Sequence, residues 1–229
     1  MGNYLRGSNR PIRDDVLDQT PHGTLDLERA VIVSCNAYFA QLGTYDVGAQ
    51  SLFETASLLG IAVASPNTPE QLRKSLAQSS YGQGQVVASP FQMARVAATV
   101  ANGGMMPGAH WILDDSTARV TEPKQILSPD AAATIARFMR EVVTSGTGRR
   151  AAGAVVPIAG KTGTAELADA PSHAWFVGFA PSGTAPKRIA FSILIENGQY
   201  GGTYPAAAAA EIVGAVRELG LIGAAEERP

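Results

Sequence analysis

Two short runs in this chain carry side chains able to do chemistry. Ser34-Cys35-Asn36 sets a hydroxyl and a carboxamide at the junction of two helical stretches, and Lys161-Thr162-Gly163-Thr164 sets a cation and two hydroxyls on a strand. A hydroxyl and a carboxamide on a loop can hydrogen-bond a bound peptide and pass a proton. A lysine and two hydroxyls on a strand edge can hold a carboxylate, and Gly163 lets another backbone approach closely. Either run alone is short enough to arise by chance.

Other candidates are weaker. Gly160-Lys161-Thr162 imitates a phosphate-binding loop, but that motif needs a glycine where Val155 stands and a helix where Gly163 follows, so the nucleotide reading is rejected. His22, His110 and His173 show no metal-ligand spacing and read as structural or surface residues. No Gly-x-Ser-x-Gly elbow is present, which disfavours an α/β-hydrolase. A lone Cys35 excludes an internal disulfide and a cysteine-based zinc site, and a buried thiol beside a helix is more often inert than nucleophilic.

The elements that must position these residues follow from capping and periodicity. The first two dozen residues are polar and broken by Pro11, Pro21 and Gly23, so they read as loop or extended chain. Thr24 is the expected cap of a helix from Leu25 to Val33; further helices are expected over 37–42 and 49–59, and 61–89 is loop-rich. Ser89-Pro90 and Ser128-Pro129 each join a capping hydroxyl to a proline at the first helical position, opening helices to about Ala101 and Thr144. The pattern then changes: β-branched or aromatic runs over 154–158, 173–180 and 189–196 read as three strands, antiparallel across short links, before an alanine-rich helix over 206–219. Helices, then strands, then a helix make an α+β fold. It is organised as a helical lobe over roughly 24–145 and a C-terminal sheet and helix over roughly 153–221.

At 229 residues the chain is one domain or slightly more. A net charge of −2 without a basic cluster argues against nucleic acid as a partner. No apolar run reaches the length needed to span a bilayer, and the N-terminal stretch from Met1 to Arg6 lacks the apolar core of a signal peptide.

Taken together and in this order, the two runs match two of the three signatures of active-site serine enzymes that process penicillin or its peptide target. Further stretches agree: His22-Gly23-Thr24-Leu25-Asp26-Leu27, Ala37-Tyr38-Phe39, Gly82-Gln83-Gly84, Ser89-Pro90-Phe91-Gln92-Met93-Ala94, Ala101-Asn102-Gly103-Gly104, and Ala174-Trp175-Phe176-Val177-Gly178-Phe179-Ala180-Pro181. The chain resembles the transpeptidase domain of high-molecular-weight, class B-like penicillin-binding proteins over nearly its whole length. The resemblance implies the penicillin-binding, serine β-lactamase-like fold, an antiparallel sheet flanked by helices with an all-helical lobe, and no cofactor. It implies an enzyme that cross-links peptidoglycan stem peptides: a serine attacks the penultimate D-alanine carbonyl, and an amine of a second stem resolves the acyl-enzyme. β-Lactams mimic the D-Ala-D-Ala end.

By the same resemblance, Ser34 relays protons to the leaving nitrogen and Asn36 binds the substrate's amide. Lys161 supplies positive potential and holds the Ser34 network. Thr162 and Thr164 receive the carboxylate beside Gly163, and the Thr164 N–H is half of an oxyanion hole. Implied partners are stem peptides, β-lactams and cell-division or elongation proteins, at the outer face of the bacterial cytoplasmic membrane.

The third signature, Ser-x-x-Lys, supplies the nucleophile, and it is not found. Three residues before Lys74, Lys124, Lys161 and Lys187 stand Gln71, Thr121, Ile158 and Thr184. The family carries this motif upstream of Ser-x-Asn, so residues 1–229 read as a partial, N-terminally truncated domain. The lost helix and strand would leave an apolar groove and a bare sheet edge. A D,D-carboxypeptidase or β-lactamase relative, or a non-catalytic stem-peptide-binding pseudoenzyme, are the alternatives. The 229-residue chain by itself is expected to take up no fluorescent penicillin covalently. An adduct that survives denaturation and maps to any of its own Ser or Thr side chains would overturn that expectation.

Overall fold

A computed structural model describes residues 3–5, 11–14, 20–109, 122–183 and 185–223. Met1, Gly2, Arg6, His110, Thr121 and Thr184 lie outside the described residues.

The chain begins with two two-residue strands, β1 (Asn3–Tyr4) and β2 (Pro11–Ile12), paired antiparallel. Helix α1 (Leu27–Val33) follows; its cap is Asp26, whose carboxylate accepts the Arg29 N–H at 2.8 Å, rather than the expected Thr24. Asp26 meets the same orphan N–H groups with a full charge at the positive helix end. Next come α2 (Asn36–Leu42), a π-helical turn over Gly43–Val47, and α3 (Gly48–Leu58). Two one-turn helices, α4 (Pro69–Leu72) and α5 (Leu76–Ser79), lie in the segment expected to be loop. Thr68 caps α4 through the Gln71 N–H.

Helix α6 (Pro90–Ala101) opens with the capping box that its sequence announces: Ser89 and Gln92 satisfy each other's backbone N–H. A short ribbon, β3 (Met105–Met106) with β4 (Lys124–Gln125), leads to α7 (Pro129–Thr144), capped by Ser128. The sheet then forms from β5 (Ala159–Ala165), β6 (His173–Ala180) and β7 (Ile189–Ile195), antiparallel in that order. Helix α8 (Tyr204–Glu218) closes the chain. The fold is α+β, as expected.

One strand differs from the expectation. Residues 154–158 do not pair; β5 starts at Ala159. Pro157 has no N–H to give a ladder, and Val156 and Ile158 are buried in the core instead. The strand therefore consists of the Lys161–Thr164 run and its flanks.

Alternation along the strands assigns their two faces. Phe176 and Phe191 pack with Ile158 and with Ala206, Ala209 and Val213 of α8 on one side. Ala159 and Phe179 pack with Val100 of α6 and Met139 of α7 on the other. Two smaller clusters hold the helices together, one around Ala30, Cys35, Ala37 and Ala40, the other around Ala49, Val63 and Leu72. Phe176 is fully buried in the largest cluster and stacks near Phe191, with ring centroids 6.2 Å apart. Phe176→Ala should cost about 3–5 kcal/mol, read as a drop in the urea midpoint with an unchanged slope. A loss below about 1 kcal/mol would show that α8 does not depend on this ring.

Candidate active site

Ser34 ends α1 in the left-handed region, at φ 60° and ψ 44°. That conformation costs a residue with a Cβ roughly 1–2 kcal/mol and turns its side chain out of the α1–α2 junction. The turn is held by backbone bonds: the Cys35 N–H donates to Ala30 O at 3.0 Å and the Ser34 N–H to Val31 O at 3.2 Å. It is also tied to the end of α7, where the Thr147 N–H donates to Ile32 O at 3.3 Å.

Lys161 reaches this turn from β5. Parity along the strand puts it on the face that meets α6 and α7, the same side as α1. Its Nζ donates to Ser34 Oγ at 2.7 Å and to Thr162 O at 3.0 Å. The residue keeps some accessible surface, yet protein packs densely enough around it that desolvation lowers its pKa from 10.5 to about 8. Thr162 lies one step along on the opposite face, its hydroxyl 2.6 Å from that of Thr147.

The backbone of β5 has a paired and an open side. In a strand, the N–H and C=O of one residue point the same way. Thr162 O accepts from Lys161 and Thr164 O accepts from Gln83 Nε2 at 3.1 Å, so both threonines turn their backbone away from β6. The Thr164 N–H therefore faces the open edge. Gly163 pairs with Trp175, and the loop carrying Gly201 lies directly on that pair. A Cβ at Gly201 would collide with the carbonyls of Gly163 and Trp175. Beyond Thr164 lies an open cavity of about 400 Å³, bordered by Glu166, Ser172, Gln199 and Tyr200. Tyr81 stands close enough to Glu166 that the carboxylate adds to burial in raising its pKa.

Of the residues picked from sequence, Ser34, Lys161, Thr162, Gly163 and Thr164 come together. Asn36 is the exception in its contacts: its carboxamide donates to Arg13 O at 3.0 Å, and its N–H to Asp14 Oδ1 at 2.5 Å. Three residues that spacing did not single out as a group also converge, namely Asp14, His22 and Cys35. Asp14 Oδ2 lies 3.3 Å from His22 Nδ1. His173 is structural, its Nδ1 accepting the Asn197 N–H at 3.1 Å. Thr147 was missed, since nothing in its local sequence marks it; Gln83 lies in the Gly82-Gln83-Gly84 stretch but was not singled out as a site residue.

The profile of the penicillin binding protein transpeptidase domain matches residues 3–215. The chain belongs to this family. Among its transpeptidase relatives, the peptidoglycan D,D-transpeptidase PbpA of Mycolicibacterium smegmatis is 35% identical over 202 residues, 78% of this chain and 40% of that protein. MrdA of Acinetobacter baumannii, also a peptidoglycan D,D-transpeptidase, is 27% identical over 87% of this chain and 35% of its own length. The chain thus spans about 40% of PbpA, the more similar of the two. Penicillin-binding protein A from M. tuberculosis, solved as its penicillin G acyl-enzyme complex, superposes with a TM-score of 0.68 at 32% identity, over 95% of this chain and 53% of that one.

The lowered Lys161 pKa has a stability signature. The unfolded state holds the proton up to about pH 10.5 and the folded state only to about 8, so stability should rise with pH through that window. Below pH 8 the cost of burying the ammonium is fully present. The urea midpoint of the parent, compared with Lys161→Met, should gain relative stability from pH 8 to 10, and the methylated Lys161 resonance should titrate near 8. A midpoint above 10 would show a solvated lysine.

Proposed function

We propose that this chain is the partial transpeptidase domain of a peptidoglycan D,D-transpeptidase, residues 1–229 forming one unit, and that Ser34, Asn36 and Lys161 are its catalytic residues. The observation that carries the reading is the 2.7 Å hydrogen bond from Lys161 Nζ to Ser34 Oγ, which joins two signatures far apart in sequence. Membership of the family and the activity named for PbpA and MrdA support it.

The chemistry follows from the geometry. A stem peptide lies along the open edge of β5 with its terminal carboxylate on the hydroxyls of Thr162 and Thr164, near the Lys161 charge. The Thr164 N–H faces the carbonyl oxygen that becomes an oxyanion, a donor whose loss costs about 10²–10³ in rate. As the C–N bond of the penultimate D-alanine breaks, the leaving nitrogen takes the Ser34 proton, and Lys161 replaces it. A lysine with a pKa near 8 is mostly protonated at neutral pH yet gives up its proton readily. Asn36 meets the amide of the bound stem. The attacking serine belongs to a Ser-x-x-Lys segment, which residues 1–229 do not contain.

β-Lactams, which present a carboxylate and a strained amide, bind in the same place; that the M. tuberculosis relative forms a penicillin G acyl-enzyme complex supports this reading. We place the activity at the outer face of the cytoplasmic membrane, where its cross-linked substrate lies, with cell-division or elongation proteins as partners. Among the described residues, no helix is long and apolar enough to cross a membrane.

A stem-peptide-binding protein without catalysis is the competing reading, and one experiment separates the two. With an upstream segment carrying Ser-x-x-Lys joined to this chain, penicillin should acylate the protein. Lys161→Ala should then lower the acylation rate at least about thirtyfold, the equivalent of losing one member of a desolvated charge-assisted pair, with little change in melting temperature. A change within about threefold would remove Lys161 from the site. No acylation of the joined parent would favour the pseudoenzyme.

A further inference from the structure

Past the end of β5, the open cavity beside Thr164 has walls of two kinds. Leu167, Ala170 and Pro171 give it an apolar side, while Glu166, Ser172 and Gln199 give it a polar one. The far wall is clipped in place: the Gln199 N–H donates to Ser172 O at 2.9 Å, and the Asn197 N–H to His173 Nδ1 at 3.1 Å. Asn197 and Gln199 both hold the left-handed region, at φ 54° and 65°, so this turn is kept against the preference of residues with a Cβ.

Glu166 is the one carboxylate bordering the cavity, and among the described residues no lysine, arginine or histidine forms an ion pair with it. Burial, and after it the Glu166 charge, raise the pKa of Tyr81. A carboxylate without a cation, beside an apolar wall, suits a positive group carried on a short hydrocarbon stem.

The strand says where such a group would come from. Thr162, Thr164 and Glu166 follow at intervals of two along β5 and its continuation, in steps of about 6.6 Å. A stem peptide with its terminal carboxylate at Thr162 and Thr164 has its penultimate carbonyl at the Thr164 N–H. The residue before that, third from the carboxylate end, then lies beside Glu166. Cross-linking itself supplies the cation. The stem that resolves an acyl-enzyme attacks with an amine, and stems of one kind serve as donor and acceptor, so the donor carries that amine as well.

We propose that Glu166 and its cavity receive the side-chain ammonium of the third residue from the end of the donor stem. Glu166 is then a specificity-determining residue. An amine already used in a cross-link has become an amide without charge, so the pocket favours stems that are not yet cross-linked as donors. This assignment rests on the transpeptidase reading. Glu166 is exposed, so the preference is modest, about three- to fivefold, and weakens with salt.

Peptide titrations of the purified chain, followed by NMR at low ionic strength, test this without any acylation step. The probes are Nα-acetyl-L-lysyl-D-alanyl-D-alanine, the same peptide acetylated at Nε, and its C-terminal carboxamide. The free-amine acid should bind about three- to fivefold more tightly than the Nε-acetyl acid. Glu166→Gln should abolish that ratio while leaving the affinity of the Nε-acetyl peptide within about twofold. Glu166→Lys should reverse the preference, favouring Nα-acetyl-L-glutamyl-D-alanyl-D-alanine over the lysyl peptide. Glu211→Gln, an exposed carboxylate on α8, should change nothing. Circular dichroism on each variant confirms that it is folded.

Equal affinity for the free and Nε-acetylated acids in the parent, or a preference that survives Glu166→Gln, would overturn the proposal. So would failure of the folded chain to bind either acid. The carboxamide probe separates this failure from that of the reading beneath it. If acid and carboxamide bind alike, the carboxylate site on β5 is wrong; if the acid is preferred but the ammonium is not, only the Glu166 pocket is.

Discussion

An ammonium removed from water has to be met by oxygen, and in this fold the need to meet Lys161 binds the helices to the sheet. Its Nζ finds Ser34 Oγ and Thr162 O. For Ser34 to be there, α1 must stop at Val33 and its next residue must turn left-handed, against the preference of a side chain with a Cβ. The turn is fixed from behind, because the end of α7 runs against it: the Thr147 N–H takes Ile32 O, and a Cβ at Gly146 would strike that same carbonyl. Helix α7 in turn packs through Met139 on Ala159 and Phe179 of the sheet. The lysine, the turn and the α7–sheet contact are one closed loop of constraints, and the lowered pKa is its electrostatic trace.

The open edge of β5 depends on the same arrangement from the other side. Gln83 holds Thr164 O, and the Gly201 loop lies on the Gly163–Trp175 pair with no room for a methyl group. The strand is therefore supported at its end and across its surface, while Thr162 and Thr164 keep their backbone toward the edge. Such support has a chemical use: donors fixed before a ligand arrives need no reorganisation when charge develops. The Thr147–Thr162 hydroxyl pair extends the order to one of the proposed carboxylate ligands.

How much of this could be read in the sequence depends on the range over which each feature acts. The starts of α6 and α7 were readable because serine and proline act within one turn of the helix. Strands β6 and β7 were readable from β-branched and aromatic runs between breakers. The start of β5 was not: Val155, Val156 and Ile158 look like a strand, but Pro157 and burial in the α8 cluster draw them out of the ladder. The cap of α1 slipped from Thr24 to Asp26, two residues that can serve the same N–H groups. Family motifs marked the Ser34 and Lys161 runs. The convergence of Asp14, His22 and Cys35 has no local signal, since the three residues are well separated along the chain.

The two clusters on either side of the Ser34 turn show why its position can be so specific. On one side a cation without full hydration pulls on the hydroxyl; on the other, Asp14 accepts the Asn36 N–H and faces the Cys35 sulfur. A three-residue turn held from both sides resists the rotation that would swing Ser34 away from Lys161. Removing either hold leaves the other, but frees the turn to relax toward the right-handed conformation that serine prefers. The hydroxyl would then leave Nζ short of a partner in a desolvated site, where an unmet donor costs more than in water. The strain at φ 60° is therefore retained because both neighbours gain from it, which is how backbone strain persists in a folded protein at all.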